Sequence, residues 1–217
     1  DVIFKIVSHD LKMPVNNLVI LTQKFDNDLK SINQELLKDY SKKMNLIAVD
    51  TVETVNNLLY WSNNEANKSI FIEKIYLFDC VHDVLDTFNI NIKLLNKNIL
   101  INCDNKDISL DFNRVQFLTL LKNFISNAIK YSDSENGIIN IRIIRESNRP
   151  IIIIEDNGKG DASYISRLFF QGESQILDTH LSGMGYKICK EIVNKFSLKI
   201  EFSQSETYKG LAVKIYF

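Results

Sequence analysis

Two stretches near the start of the chain repeat apolar residues at alternating intervals of three and four. Phe4, Val7, Leu11, Pro14, Leu18, Leu21 and Phe25 make the first seam; Leu37, Tyr40, Met44, Ile47, Thr51, Thr54, Leu58 and Trp61 make the second. This is the heptad spacing of helices packed side by side. The polar stretch Asp26 to Asn33 separates the two seams, so the pattern predicts a helical hairpin. Two helices bury only part of such surfaces against each other. A second hairpin from another chain, giving a four-helix bundle and a homodimer, is the expected completion.

Beyond Asn67 the periodicity changes. The pattern predicts a strand over Ile70 to Ile75, an amphipathic helix over Phe78 to Leu95, a strand over Asn98 to Asn102 and a long helix over Asn113 to Tyr131. Ile138 to Arg145 and Ile151 to Glu155 read as an antiparallel hairpin, with Ser147 to Pro150 as its turn. A helix over Met184 to Phe196 and strands near Leu198 to Ser203 and Leu211 to Phe217 close the chain. The expected fold class is α+β: residues 1–67 as a dimerising hairpin, then residues 68–217 as an α/β sandwich with a mixed sheet and helices on one face.

Composition narrows the classes of function. With 26 Lys and Arg against 27 Asp and Glu the net charge is −1, so no single-sign field marks a nucleic-acid binder. Apolar residues at 45% and charged residues at 24% predict a folded core rather than disorder. The longest uninterrupted apolar runs, such as Ile151 to Ile154, are far shorter than the roughly 20 residues of a membrane span, so no membrane contact is expected. Asp1 opens the chain with no signal segment after it, as in a fragment of a larger protein, including a membrane-anchored one. Cys80, Cys103 and Cys189 are odd in number and widely spaced; they read as buried thiols in a reducing compartment, with the cytosol as the default.

Glycine is unevenly spread. Gly158, Gly160, Gly172, Gly183 and Gly185 fall in one stretch, while positions 1 to 136 contain none, which points to a backbone-driven site there. Glu155-Asp156-Asn157-Gly158-Lys159-Gly160 follows a run of isoleucines, so a strand end presents the Asp156 carboxylate to a loop that a ligand can approach closely. Gly183-Met184-Gly185 opens a helix whose first N–H groups suit anionic phosphates. On the helix before them, Asn123, Asn127 and Lys130 share one face, offering oxygen ligands for Mg²⁺ and a donor for phosphate, while Leu121, Phe124, Ile125 and Ala128 supply the buried side.

On the first helix, His9 lies about 200° from the seam position Val7 and faces solvent. Asp10 follows it, and Pro14 cannot donate to the Asp10 carbonyl, so the helix is expected to loosen just past the His. An exposed imidazole beside a carboxylate suits a nucleophile that an outside group must reach.

Ser8-His9-Asp10-Leu11-Lys12-Met13-Pro14 resembles the H-box of bacterial sensor histidine kinases, in which the His accepts a phosphoryl group and the neighbouring acid polarises the imidazole. The Asn127 helix, the Asp156 loop and the Gly183 loop, in that order, resemble the N, G1 and G2 boxes of the ATP-binding fold shared by histidine kinases, gyrase, the heat-shock ninety chaperones and mismatch-repair ATPases.

The resemblance implies that Asn127 coordinates Mg²⁺, that Asn123 supports metal and phosphate, and that Lys130 contacts phosphate. It implies an adenine pocket lined by Tyr131, an Asp156 that accepts from the adenine amino group, and ATP contacts from Gly158, Gly160, Gly183, Met184 and Gly185. Phe169 and Phe170 resemble the F-box before a lid over Gln171 to Ser182. The implied activity is autophosphorylation of His9 from Mg-ATP, then transfer to an aspartate on a response regulator. Two positions depart from the family pattern: Met13 stands where Thr or Asn is common, and Leu181 replaces the first Gly of the last loop. The wider group's ATPases need a water-activating Glu where this chain has Asn123, which argues against simple ATP hydrolysis.

Overall fold

A computed structural model of the chain describes residues 2–29, 32–66, 71–171 and 184–217. The chain divides into two compact units, the first built on the helical hairpin and the second on the sheet.

The hairpin consists of α1 (Val2–Asp28) and α2 (Gln34–Ala66). Pro14 lies inside α1, which runs on as one element past the expected loosening. Asn33 caps α2: its side-chain oxygen accepts the Leu36 N–H at 2.8 Å, satisfying a first-turn donor that has no partner within the helix. Tyr40 is the buried anchor. Its ring meets Phe25 edge-on at 5.4 Å and its hydroxyl donates to Asp28 Oδ2 at 2.5 Å. Leu11, Pro14, Leu18, Leu21 and Phe25 are half-buried, as a seam with one partner should be. On α2 the seam is shifted at its start: Leu37 is exposed and Leu36 turns inward, because the cap fixes where the first helical turn begins. The seam positions Phe4, Val7, Leu58 and Trp61 have side chains outside the described residues.

The second unit carries a five-stranded sheet in the order β2 (Asn98–Cys103), β4 (Ile138–Glu146), β5 (Arg149–Asp156), β7 (Leu211–Tyr216), β6 (Lys199–Gln204). β2 and β4 are parallel and the other pairs antiparallel, so the sheet is mixed. A separate antiparallel pair joins β1 (Glu73–Tyr76) to β3 (Ser109–Phe112). Strand alternation sorts the residues into two faces. Ile139, Ile141, Ile143, Ile152, Ile154, Val213 and Ile215 are buried on one, against which α5 (Arg114–Tyr131) lays Phe117, Leu120, Leu121 and Ile125. Each fully buried isoleucine contributes about 1.5–3 kcal/mol. The other face carries Asn140, Arg142, Glu155, Glu201 and Lys214. This is the expected α+β sandwich.

Several local features correct the sequence expectations. The helix expected over Phe78 to Leu95 is two, α3 (Leu77–Thr87) and α4 (Asn89–Leu94). Thr87 Oγ1 bonds back to the Val84 carbonyl and the chain leaves helical geometry at Phe88. β3 and α6 (Ala162–Gln171) form where the pattern predicts no element. The β4–β5 turn is tighter than expected: Ser147 and Asn148 both have positive φ, 48° and 67°, the geometry of a two-residue hairpin turn, and Pro150 is already in β5. Cys80 and Cys189 are buried but Cys103 is only partly so, because β2 is an edge strand. Among the described residues no helix is long and apolar enough to cross a membrane.

Candidate nucleotide site

Asn113 starts α5 by accepting the Gln116 N–H on its side chain at 3.0 Å, which sets the rotation of the helix over the sheet. Phe124, Asn127, Ala128 and Tyr131 then line one side of a cavity of about 310 Å³. Ile154 and Asp156 of β5, and Leu211 and Val213 of β7, form its floor. Lys159, Gly160, Asp161, Tyr164, Ile165 and Tyr186 complete the wall. A mostly apolar slot with one deeply placed carboxylate suits a flat heteroaromatic ring carrying a hydrogen-bond donor.

Asp156 is buried, 5% exposed, and its two oxygens differ. Oδ1 accepts the Gly158 N–H at 2.7 Å and the Leu211 N–H at 3.3 Å. Among the described residues no hydrogen bond reaches Oδ2. Burial raises the carboxyl above the usual range, against the opposing pull of those two amides and of the Lys97 ammonium. Burial also pushes the Tyr186 phenol up.

The loop between α5 and β4 is locked beneath the site. Asn157 Oδ1 accepts the N–H groups of Asp133 at 3.2 Å and Ile138 at 2.9 Å, and its Nδ2 donates to the Asn136 carbonyl at 2.7 Å. Lys97 Nζ donates to the carbonyls of Asp133 at 2.6 Å and Ser132 at 3.3 Å, at the C-terminal end of α5. Its partial burial lowers the ammonium below the ordinary lysine value.

The residues expected on one polar face of α5 are divided by the structure. Asn127 and Tyr131 line the cavity. Asn123 is buried at 4% exposure, its Nδ2 donating to the Thr119 carbonyl at 2.8 Å, and its buried Oδ1 has no hydrogen-bond partner among the described residues. Lys130 is exposed, with its ammonium 5.5 Å from the centre of the Tyr131 ring. Phe124 and Ala128, assigned to the core, also form cavity wall. Gly160 lines the cavity, whereas Gly158 acts through its amide.

Of the two F-box phenylalanines, Phe169 is buried, its ring 5.1 Å from that of Phe202, and Phe170 is half exposed. Met184 and Gly185 begin α7 (Met184–Lys195). Gly183, Leu181 and the proposed lid through Ser182 lie outside the described residues, as do the side chains of His9 and Asp10 on α1.

Gly158 and Gly210 were not recognised for what they do. A Cβ at Gly158 would sit 2.0 Å from the Tyr131 carbonyl oxygen, and one at Gly210 would sit 2.2 Å from the Asp156 carbonyl oxygen. Both contacts are with backbone, which cannot swing aside. Gly158→Ala is therefore expected to cost about 1–3 kcal/mol of stability and to weaken ATP binding at least about tenfold by shifting the amide on Asp156. A thermal melt and a nucleotide titration check both; a variant that melts and binds as the parent does would contradict this packing.

Residues 113–217 match the family described as histidine kinase-, DNA gyrase B-, and HSP90-like ATPase. The sensor histidine kinase YkoH of Bacillus subtilis is 22% identical over 218 residues, covering 97% of this chain and 46% of that protein. The alginate biosynthesis sensor protein KinB of Pseudomonas aeruginosa is 22% identical, covering 86% of this chain and 31% of that protein. The chain thus spans less than half the length of either relative. Among solved structures, a histidine kinase ThkA in complex with a response regulator protein TrrA superimposes with a TM-score of 0.65 at 19% identity, covering 97% of this chain and 59% of that one. Acinetobacter baumannii histidine kinase AdeS gives 0.56 at 19% identity, covering 96% of each chain. These likenesses establish the fold of the hairpin and of the sheet unit. Residues 113–217 are an ATPase domain of that family, and the likeness of the longer chain to named sensor histidine kinases supports a sensor histidine kinase core made of the hairpin and the ATPase domain.

Proposed function

We propose that the chain binds Mg-ATP in the Asp156 cavity, transfers the γ-phosphoryl group to His9, and passes it on to an aspartate of a response regulator. Residues 1–67 serve as the dimerisation and phosphoacceptor domain and residues 68–217 as the catalytic domain. The setting is cytoplasmic. The observation that carries the reading is Asp156, whose Oδ1 is occupied by two backbone amides while Oδ2 is left to accept from the adenine amino group. Tyr131 and Tyr186 flank the base and the apolar floor excludes water from it.

The residues on α5 fit a magnesium ion. Amide oxygens are the hard ligands it takes, and Asn123 holds a buried oxygen with no hydrogen-bond partner among the described residues, one turn before Asn127 on the cavity wall. When bound, the ion neutralises phosphate charge. Lys130, and the first amides of α7 at Met184 and Gly185, give the phosphates further donors.

In the transfer itself, a ring nitrogen of neutral His9 forms a bond to the γ-phosphorus as the bond to the bridging oxygen breaks, and ADP leaves. Asp10 accepts from the other ring nitrogen and stabilises the positive charge that develops on the imidazole. Phosphoryl transfer asks mainly for positioning and charge neutralisation, which these groups supply. Incubation with labelled Mg-ATP, followed by acid and base treatment, tests the reading. A phosphoramidate is lost in acid and survives base; label that survives acid, or none at all, refutes phosphohistidine.

Dimerisation is assigned to the hairpin because the α1 seam from Leu11 to Phe25 stays half-buried within one chain, and Val15, Val19, Ile20 and Val52 add exposed apolar surface. The full chain is expected to be dimeric by light scattering and the fragment Lys68 to Phe217 monomeric. A dimeric fragment would move the interface to the sheet unit.

A further inference from the structure

On the sheet face opposite the cavity, Glu155 is buried at 5% exposure with a carboxylate fully engaged. Oε2 accepts from Asn140 Nδ2 at 3.1 Å and Arg142 Nε at 3.2 Å, and Oε1 accepts from Ser205 Oγ at 3.1 Å. Ser205, itself buried, organises the turn between β6 and β7. Its hydroxyl accepts the Tyr208 N–H at 3.1 Å, its carbonyl accepts the Lys209 N–H at 3.0 Å, and its N–H donates to the Gly210 carbonyl at 2.8 Å. Gln204 Nε2 adds a second, exposed tether to the Lys209 carbonyl. This turn delivers Gly210 against the Asp156 backbone and the Leu211 N–H to Asp156 Oδ1. Two adjacent carboxylates of β5 are thus linked through the sheet edge: Glu155 holds the turn, and the turn holds Asp156.

We propose that Glu155 and Ser205 are positioning residues for base recognition, fixing the 205–210 turn so that the Leu211 amide occupies Asp156 Oδ1 and only Oδ2 faces the base. A carboxylate held by two amides cannot rotate to share both oxygens with solvent, so a base that donates one hydrogen at that point is selected. Neither Glu155 nor Ser205 lines the cavity. It acts by setting the orientation of the group that does.

The inference rests on Asp156 reading the six-amino group, and its test separates the two ideas. Affinities of the full chain for ATP and for purine riboside triphosphate, which lacks that amino group, are measured with wild type, Ser205→Ala and Gln204→Ala. Wild type should prefer ATP by about tenfold, the worth of one buried hydrogen bond. Ser205→Ala should lower that preference to roughly threefold or less while binding of the analogue changes less than about twofold. Should Ser205→Ala fail to give folded protein by circular dichroism, Gln204→Ala, which cuts the exposed tether, is judged by the same ratio. A variant that keeps the wild-type preference, or weakens both nucleotides equally, overturns the positioning role alone. A wild type without preference overturns Asp156 as the reader of the base, and this inference with it.

Discussion

Asp156→Asn should weaken ATP binding by about a hundredfold, through loss of a buried hydrogen bond and creation of a donor–donor conflict, while leaving the nucleotide-free protein at least as stable at neutral pH. The asparagine oxygen can keep both backbone donors, Gly158 N–H and Leu211 N–H. Its amide nitrogen then occupies the place of Oδ2 and presents a donor to the adenine amino group.

The stability half follows from the raised carboxyl, whose main cause is burial. A folded-state value above the unfolded one favours the neutral acid, so the contribution to stability is full below the ordinary carboxyl value of 3.8 and is lost as pH rises through the raised one. At neutral pH the wild type carries that cost and the Asn variant does not. The melting temperature of Asp156→Asn relative to wild type should therefore be highest at neutral pH and fall back as the pH is lowered through that window. Nucleotide titration and melts at several pH values decide it. Unchanged ATP affinity, or a variant that melts below wild type at neutral pH, would sink the account of this carboxylate.

His9→Gln should abolish phosphoryl labelling from ATP and leave ATP affinity within about twofold of wild type, as expected for a substitution outside the residues that line the cavity. Glutamine matches the length of the imidazole, but its amide nitrogen lone pair is delocalised and cannot attack phosphorus. Binding is spared because every residue of the cavity wall comes from the sheet unit and His9 from α1. Autoradiography and a fluorescent-nucleotide titration on the same preparation separate the two effects. Retained acid-labile, base-stable label in the variant would remove His9 as the acceptor. Loss of binding together with label would place His9 in the nucleotide site instead.

The sheet unit was legible wherever a local rule suffices. The β4–β5 hairpin follows from two apolar runs and a polar turn, and α5 from its length and its Asn113 cap. Asp156 could be picked out because it stands where the isoleucine-rich strand gives way to a glycine loop; it ends β5 and is buried. The helix α6 was missed because the glycines before it read as loop, although Asp161 accepts the N–H groups of Ser163 and Tyr164 as a helix cap and Ile165, Leu168 and Phe169 carry helical spacing.

The polar face of α5 shows where periodicity runs out. Helical spacing placed Asn123, Asn127 and Lys130 together, but the position of the sheet beneath the helix decided that Asn123 is buried, Asn127 half-buried at the cavity and Lys130 in solvent. A heptad or an alternation gives the direction of a side chain relative to its own element and nothing about what lies opposite.

What the sequence determined by itself is the helical hairpin, the long helix α5, the β4–β5 hairpin and Asp156 as the carboxylate beside the glycine loop, all set by interactions within a few residues. Only the tertiary structure decided how that carboxylate is held. Gly210 and Leu211 meet Asp156 from more than fifty residues away, and Ser205 meets Glu155 across fifty. Those contacts come from strands β5 and β7 pairing in one particular register. Register is fixed by which faces of all the strands are buried together, a property of the whole sheet that no local stretch of sequence carries.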